Sequence, residues 1–233
     1  MPHARLVFVL IACAVGMSTG PFRAQAVAAL ESIQGNVDVG RAQVIDGVAA
    51  RIEDDVITES EVRELSAFQE LVDGRAKPRP EVIKELADQW IVRGEASAAK
   101  YPRPSKDDAD RAYAQFVDQF PSREELAAQC KKVGLSDAAL RRLVGEQLYL
   151  ARFLDYRFRP AAQVDEKQIE AYYRDEFSPQ LKLRGDVVPP LDKVEDTIRE
   201  VLIQRAINER AAKWLDDARE RLKIDVMPEG NTP

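Results

Sequence analysis

Apolar side chains at Val44, Val48, Ala50 and Ile52 fall on one face of a period-two pattern, which predicts a strand. Asp54 and Asp55 follow as residues that tolerate the positive φ of a two-residue hairpin turn, and Val56-Ile57 supplies a short return strand. Thr58 with Glu61 then fits a capping box, and Ile57 with Val62 occupies the two positions of a hydrophobic staple, so a helix is predicted from Glu59. The period changes accordingly: Val62, Leu65, Phe68 and Leu71/Val72 share one helical face, and Gly74 is placed to close it.

The helical period persists along most of the chain. After the linker RAKPRP, whose Pro78 and Pro80 bias their predecessors to extended backbone, a second helix is predicted from Glu81 with Val82, Ile83, Leu86, Trp90, Ile91 and Ala96 as its stripe. Tyr101-Pro102-Arg103-Pro104 ends it. Ser105 with Asp108 caps a third helix bearing Tyr113, Phe116, Val117 and Phe120, and Ser122 with Glu125 makes a further capping box before Leu126. Gly134-Leu135-Ser136 precedes a long helix from Asp137 to about Phe158, and an acidic helix spans Asp165 to Glu176. FSPQLKLRGDVVPPL reads as a Pro/Gly-rich break. Beyond it, Leu191 to Leu222 forms one predicted helix about 48 Å long at 1.5 Å per residue, too long to bury itself, so it must lie across the helices of residues 59–158. Leu222, Ile224 and Val226 alternate with Lys223 and Asp225, a strand signal at the C-terminal end.

The first 26 residues change the picture. Arg5, an apolar run from Leu6 to Met17 and the small-x-small site Ala24-Gln25-Ala26 read as a secretory signal peptide cleaved after Ala26. Leu10-Ile11-Ala12-Cys13 also resembles a lipobox, with lipidation at Cys13 as the alternative. Cleavage would leave 32 basic and 40 acidic side chains, a net charge of −8, which argues against nucleic acid or an anionic membrane surface as partner. It would also remove His3 and Cys13. A chain without histidine cannot run a Ser-His-Asp or Cys-His triad or build a His-containing zinc site. Cys130, then the single cysteine, falls with Leu126 and Val133 at helical spacing, which favours a buried small hydrophobe over a reactive thiol or an intermolecular bridge.

The segment VIDGVAARIEDDVITESEVRE, Val44 to Glu64, resembles the start of the SurA-like periplasmic chaperones. The resemblance extends to Glu81–Ala99, to the helix over Val133–Arg159 after its Gly-Leu-Ser entry, and to VDEKQIEAYY at Val164–Tyr173. It implies a mainly α fold, a multi-helix chaperone body with a small β-sheet in which the C-terminal strand returns to the N-terminal hairpin. The organisation expected is a signal peptide at 1–26, a loose segment at 27–43, one chaperone domain at 44–227 and a tail at 228–233. Such chaperones commonly carry parvulin-type prolyl isomerase domains before the long C-terminal helix. Here the corresponding gap, Ser178 to Pro190, is far too short for one, and isomerase activity is predicted absent.

The resemblance therefore implies an ATP-independent periplasmic chaperone for unfolded exported or outer-membrane proteins, with no cofactor, metal or small-molecule substrate. An adaptor that holds one specific partner is the alternative. Composition is compatible with a client-binding surface, since 45% apolar and 32% charged residues supply both sticky surface and a solubilising exterior. Candidate client-binding residues are the stripe Tyr113, Phe116 and Phe120, for which core packing is the favoured reading, and Tyr172 and Tyr173, which as neighbours cannot both face inward. Trp90 and Trp214 are assigned to the core. The acidic pairs Asp54/Asp55, Asp107/Asp108 and Asp216/Asp217 are assigned to a turn, a helix first turn and a solvated helix face, and catalysis is not expected of them.

Overall fold

The computed structural model describes residues 46–228. The proposed signal peptide, Cys13, Val44, the segment 27–43 and most of the tail lie outside the described residues. The chain is mainly helical, with a small three-stranded antiparallel sheet. Its strands are β1 (Val48–Ile52), β2 (Asp55–Thr58) and β3 (Ile224–Val226), in the order β2-β1-β3. The helices are α1 (Glu59–Asp73), α2 (Arg79–Ala98), α3 (Lys106–Val117), α4 (Arg123–Val133), α5 (Asp137–Phe158), α6 (Glu166–Tyr172), α7 (Ser178–Arg184) and α8 (Leu191–Arg219).

The hairpin forms where the alternation predicts it, one residue off in its turn. Positive φ falls on Glu53, at 51°, and Asp55 already belongs to β2, where it pairs with Ile52. The Asp54/Asp55 turn is corrected to Glu53/Asp54. A bulge between Val48 and Ala50 breaks the strict alternation, and both Ala49 and Ala50 are buried. Thr58 and Glu61 make the complete capping box, and Ile57 and Val62 are buried in one core cluster.

Caps set the other helix starts. Ser105 and Asp108 form a second capping box and Asp165 and Gln168 a third. At α4 only half of one forms: the Ser122 hydroxyl accepts from the Glu125 N–H without the reciprocal bond. Helix α2 begins at Arg79, two residues before the predicted Glu81, because Pro80 lies in the first turn, where a missing N–H costs nothing.

The largest departure lies after α6. FSPQLKLR is helical, with a π-helical turn over Tyr173–Phe177 leading directly into α7, and Gly185 closes α7 at φ 78°. Pro179 lacks an N–H and would crowd the carbonyl four residues back, and the wider turn just before it accommodates that loss. The break in the second half shrinks to the loop between Gly185 and Pro190.

Two apolar clusters divide the interior. One joins the hairpin, α1, the first half of α2, α3, α4 and the start of α5, with Ile52, Ile83 and Leu140 almost fully buried. The other joins Val92, Leu150 and Phe153 of α2 and α5 to Ala211 and Leu215 of α8. Helix α8 also lies against α6, and Ile169 and Ile198 are 1% exposed. The predicted long helix ends at Arg219, three residues early, and after a turn the chain enters β3.

Arg219 ties this end to α2. Its guanidinium pairs with Asp88, which is 5% exposed, and with Asp216. Burial raises the Asp88 carboxyl above its ordinary value, opposed by Arg219, and one Asp88 oxygen has no hydrogen-bond partner. Because the folded-state value is raised, the ionised carboxylate is a cost that grows as pH rises through it, and Arg219 limits that cost. Arg219→Met is expected to destabilise the chain by about 3 kcal/mol at pH 7, and by less as the pH is lowered and Asp88 takes up a proton; urea unfolding at neutral and at acidic pH measures both. Thr58→Ala, by removing the α1 cap, is expected to cost about 1 kcal/mol in the same assay.

Candidate functional site

Amphipathic helices α3 and α4 turn apolar faces toward the start of α5, and between them they leave a cavity of about 400 Å³. Val117, Leu126, Cys130, Leu135 and Leu140 form its buried apolar wall. Its mouth carries Arg123 and Lys131 from α4, Asp137 and Arg141 from the first turns of α5, and Tyr113 from α3. The placement follows from local rules. Asp137 sits in the first turn of α5 and Lys131 in the last turn of α4, each on the side its helix dipole favours.

The charges at the mouth are unequally satisfied. Asp137 accepts from the Tyr113 hydroxyl and, at 2.8 Å, from Nε of Arg141, whose guanidinium lies 3.8 Å from the Tyr113 ring centre. The Tyr113 hydroxyl, then Arg141 and Arg123, hold the Asp137 carboxyl below the usual range. Burial, followed by the hydrogen bond to Asp137, pushes the Tyr113 phenol up. Arg123 and Lys131 have no ion-pair partner among the described residues. The cavity thus joins an apolar interior to two exposed cations that stand outside any close ion pair among the described residues.

The other sequence-selected residues serve internal roles. Phe116 is 4% exposed and stacks on Phe68 at 5.9 Å, so it belongs to the core; Phe120 is half-buried against it at 5.4 Å. The stripe therefore does not form a surface ridge, and only Tyr113 reaches the cavity mouth. Tyr172 and Tyr173 are both half-buried. Arg205 of α8 lies 5.1 Å from the Tyr172 ring, while the Tyr173 hydroxyl donates to the Pro189 carbonyl at 2.7 Å and fastens the loop before α8. Trp90 donates to Asp55 of the hairpin at 2.8 Å, and Trp214 packs on Phe158 under Arg157.

The acidic pairs do not form dyads. Asp55 receives Trp90, Asp108 caps α3 and is bridged by Arg111 and Arg152, and Asp216 pairs with Arg219. Among the described residues no group of three His, Cys, Asp or Glu side chains is arranged to hold a metal ion, and no helix is long and apolar enough to cross a membrane.

Sequence reasoning missed the charged half of the cavity mouth, because Arg123, Lys131 and Arg141 read as ordinary solvated positions on two separate helices. It also missed an aromatic group formed by Tyr101, Tyr149, Phe153 and Tyr156, in which Tyr101 lies 5.5 Å from Phe153 and 5.1 Å from Tyr156. The i, i+4, i+7 spacing of Tyr149, Phe153 and Tyr156 carried that signal. Among the described residues the most exposed of the large apolar side chains, Leu183 at 88% and Val187 at 91%, flank the Gly185 cap in a segment assigned to a break.

The fold defines the class: a mainly helical protein closed by a small antiparallel sheet. No protein-family model matches the chain, and no curated protein matches it.

Burial, then the Asp137 charge, pushes the Cys130 thiol up, which keeps it protonated at neutral pH. Alkylation of Cys130 in the folded chain at pH 7.5 is expected to run at least tenfold slower than in urea and to accelerate as pH rises; mass spectrometry of timed samples measures the rates.

Proposed function

We propose that the chain is an ATP-independent chaperone of the periplasm that holds unfolded exported or outer-membrane polypeptides and has no prolyl isomerase activity. The observation that carries this reading is the joining of β3 to β1 in one sheet with the capped hairpin, the closure that the resemblance to SurA-like chaperones implies. The resemblance rests on the order of the motifs from Val44 to Tyr173, and the chain between α7 and α8 is a short loop, with no room for a parvulin domain.

Exposed apolar surface supports the same reading. Leu183, Val187 and Tyr156 offer uncovered side chains among dense charge, the combination that lets a protein hold an unfolded segment without self-association. Client contacts are assigned to these residues in preference to the buried Phe116.

Equimolar protein is expected to suppress aggregation of a urea-diluted outer-membrane protein, followed by light scattering, without accelerating a proline-limited refolding reaction. Leu183→Ser with Val187→Ser is expected to weaken the suppression several-fold while leaving the circular dichroism unchanged. Unaltered aggregation in the presence of the parent protein refutes the chaperone reading, and capture of one stoichiometric folded partner favours the adaptor.

A further inference from the structure

We infer that the cavity between α3, α4 and α5 is a binding site for a medium-chain aliphatic carboxylate. The inference goes beyond the chaperone reading and does not rest on it, since the cavity lies apart in the sequence from the exposed Leu183 and Val187.

Three features select the ligand. The wall made by Val117, Leu126, Cys130, Leu135 and Leu140 is buried and offers no charged side chain, so the part of the ligand inside must be apolar. The cavity volume of about 400 Å³ limits its size. At ~30 Å³ per water-sized group, it accepts a chain of about ten carbons with its head group.

Charge at the mouth selects the head group. Of the four charged side chains there, Asp137 and Arg141 neutralise each other, with the Tyr113 hydroxyl completing the carboxylate's shell. Arg123 and Lys131 remain, two cations without a carboxylate partner among the described residues, on a chain whose net charge is −6. An anion at the mouth meets this surplus of positive charge, and Arg123 can meet a carboxylate with two parallel N–H donors. A cationic amphiphile would instead face both of them. Asp137 is not a competing partner for a ligand cation, since its oxygens are engaged by Tyr113 and Arg141.

Cys130 in the cavity wall provides a readout at the site itself. In the full chain carrying Cys13→Ser, so that Cys130 is the only thiol, decanoate below its micellar concentration is expected to bind with one-to-one stoichiometry by calorimetry and to slow alkylation of Cys130 at least fivefold. Decanol is expected to bind at least tenfold more weakly, and decyltrimethylammonium to give no protection. Arg123→Gln with Lys131→Gln, both at exposed positions, is expected to weaken decanoate binding at least tenfold with unchanged circular dichroism. Leu126→Trp, which fills the cavity, is expected to abolish it. Equal affinity for decanol and decanoate, full affinity in the double variant, or unprotected Cys130 overturns the inference. So does a short acetylated peptide ending in a free leucine carboxylate that competes as well as decanoate, because the ligand would then be a polypeptide end and not a free acid.

Discussion

Backbone pairing of Ile52 with Ile224 draws the two ends of the described chain together, and every helix between them is placed under that constraint. The Glu53 N–H donates to the Lys223 carbonyl at 3.1 Å while the Lys223 N–H returns to the Glu53 carboxylate, across 170 positions of sequence. Closing so large a loop has an entropic cost that three residues of β3 cannot offset alone. The compensation comes from α8, which lays Ala211, Leu215 and Ala218 on α2 and α5 and delivers the strand already aimed at β1. Arg79, at the start of α2, then binds the Met227 carbonyl and pairs with Glu59, joining the sheet to the starts of both α1 and α2.

That closure separates the protein into a rigid side and an open side. The hairpin, its capped helix and the two apolar clusters bury many of the large side chains that the periodicity selected, Ile52, Leu65, Phe68, Ile83, Leu86 and Phe116 among them. The most exposed apolar side chains lie elsewhere, at the tip around Gly185 with Leu183 and Val187, and the cavity opens between α3, α4 and α5. Both are places where short elements meet at their ends. Ends of helices leave unsatisfied backbone and gaps between side chains, whereas paired helix faces fill them.

The arginines show how the open side is kept ordered. Arg205 donates from Nη1 and Nη2 to the two Glu176 carboxylate oxygens and covers Tyr172, and Arg159 joins Asp155 to Glu200, so the region around α6 and α8 is held by charge as well as by Ile169 and Ile198. Such exposed pairs add little stability singly. Together they orient side chains. Arg123 and Lys131 differ from these arginines in lining a cavity mouth without an ion-pair partner among the described residues.

The strands, the Thr58 and Ser105 caps, the Gly74 helix end and many buried positions were legible in the sequence, because each depends on residues within a turn or two of one another. The tertiary structure alone decided the rest. It placed positive φ on Glu53 through strand register, and carried the helix through Pro179 by a π-helical turn. It turned Phe116 inward onto Phe68, and brought Tyr113, Arg123, Lys131, Asp137 and Arg141 from three helices to one cavity mouth. No local pattern encodes such a meeting. It depends on how separately formed helices pack, and that is set by long-range burial acting over the whole chain.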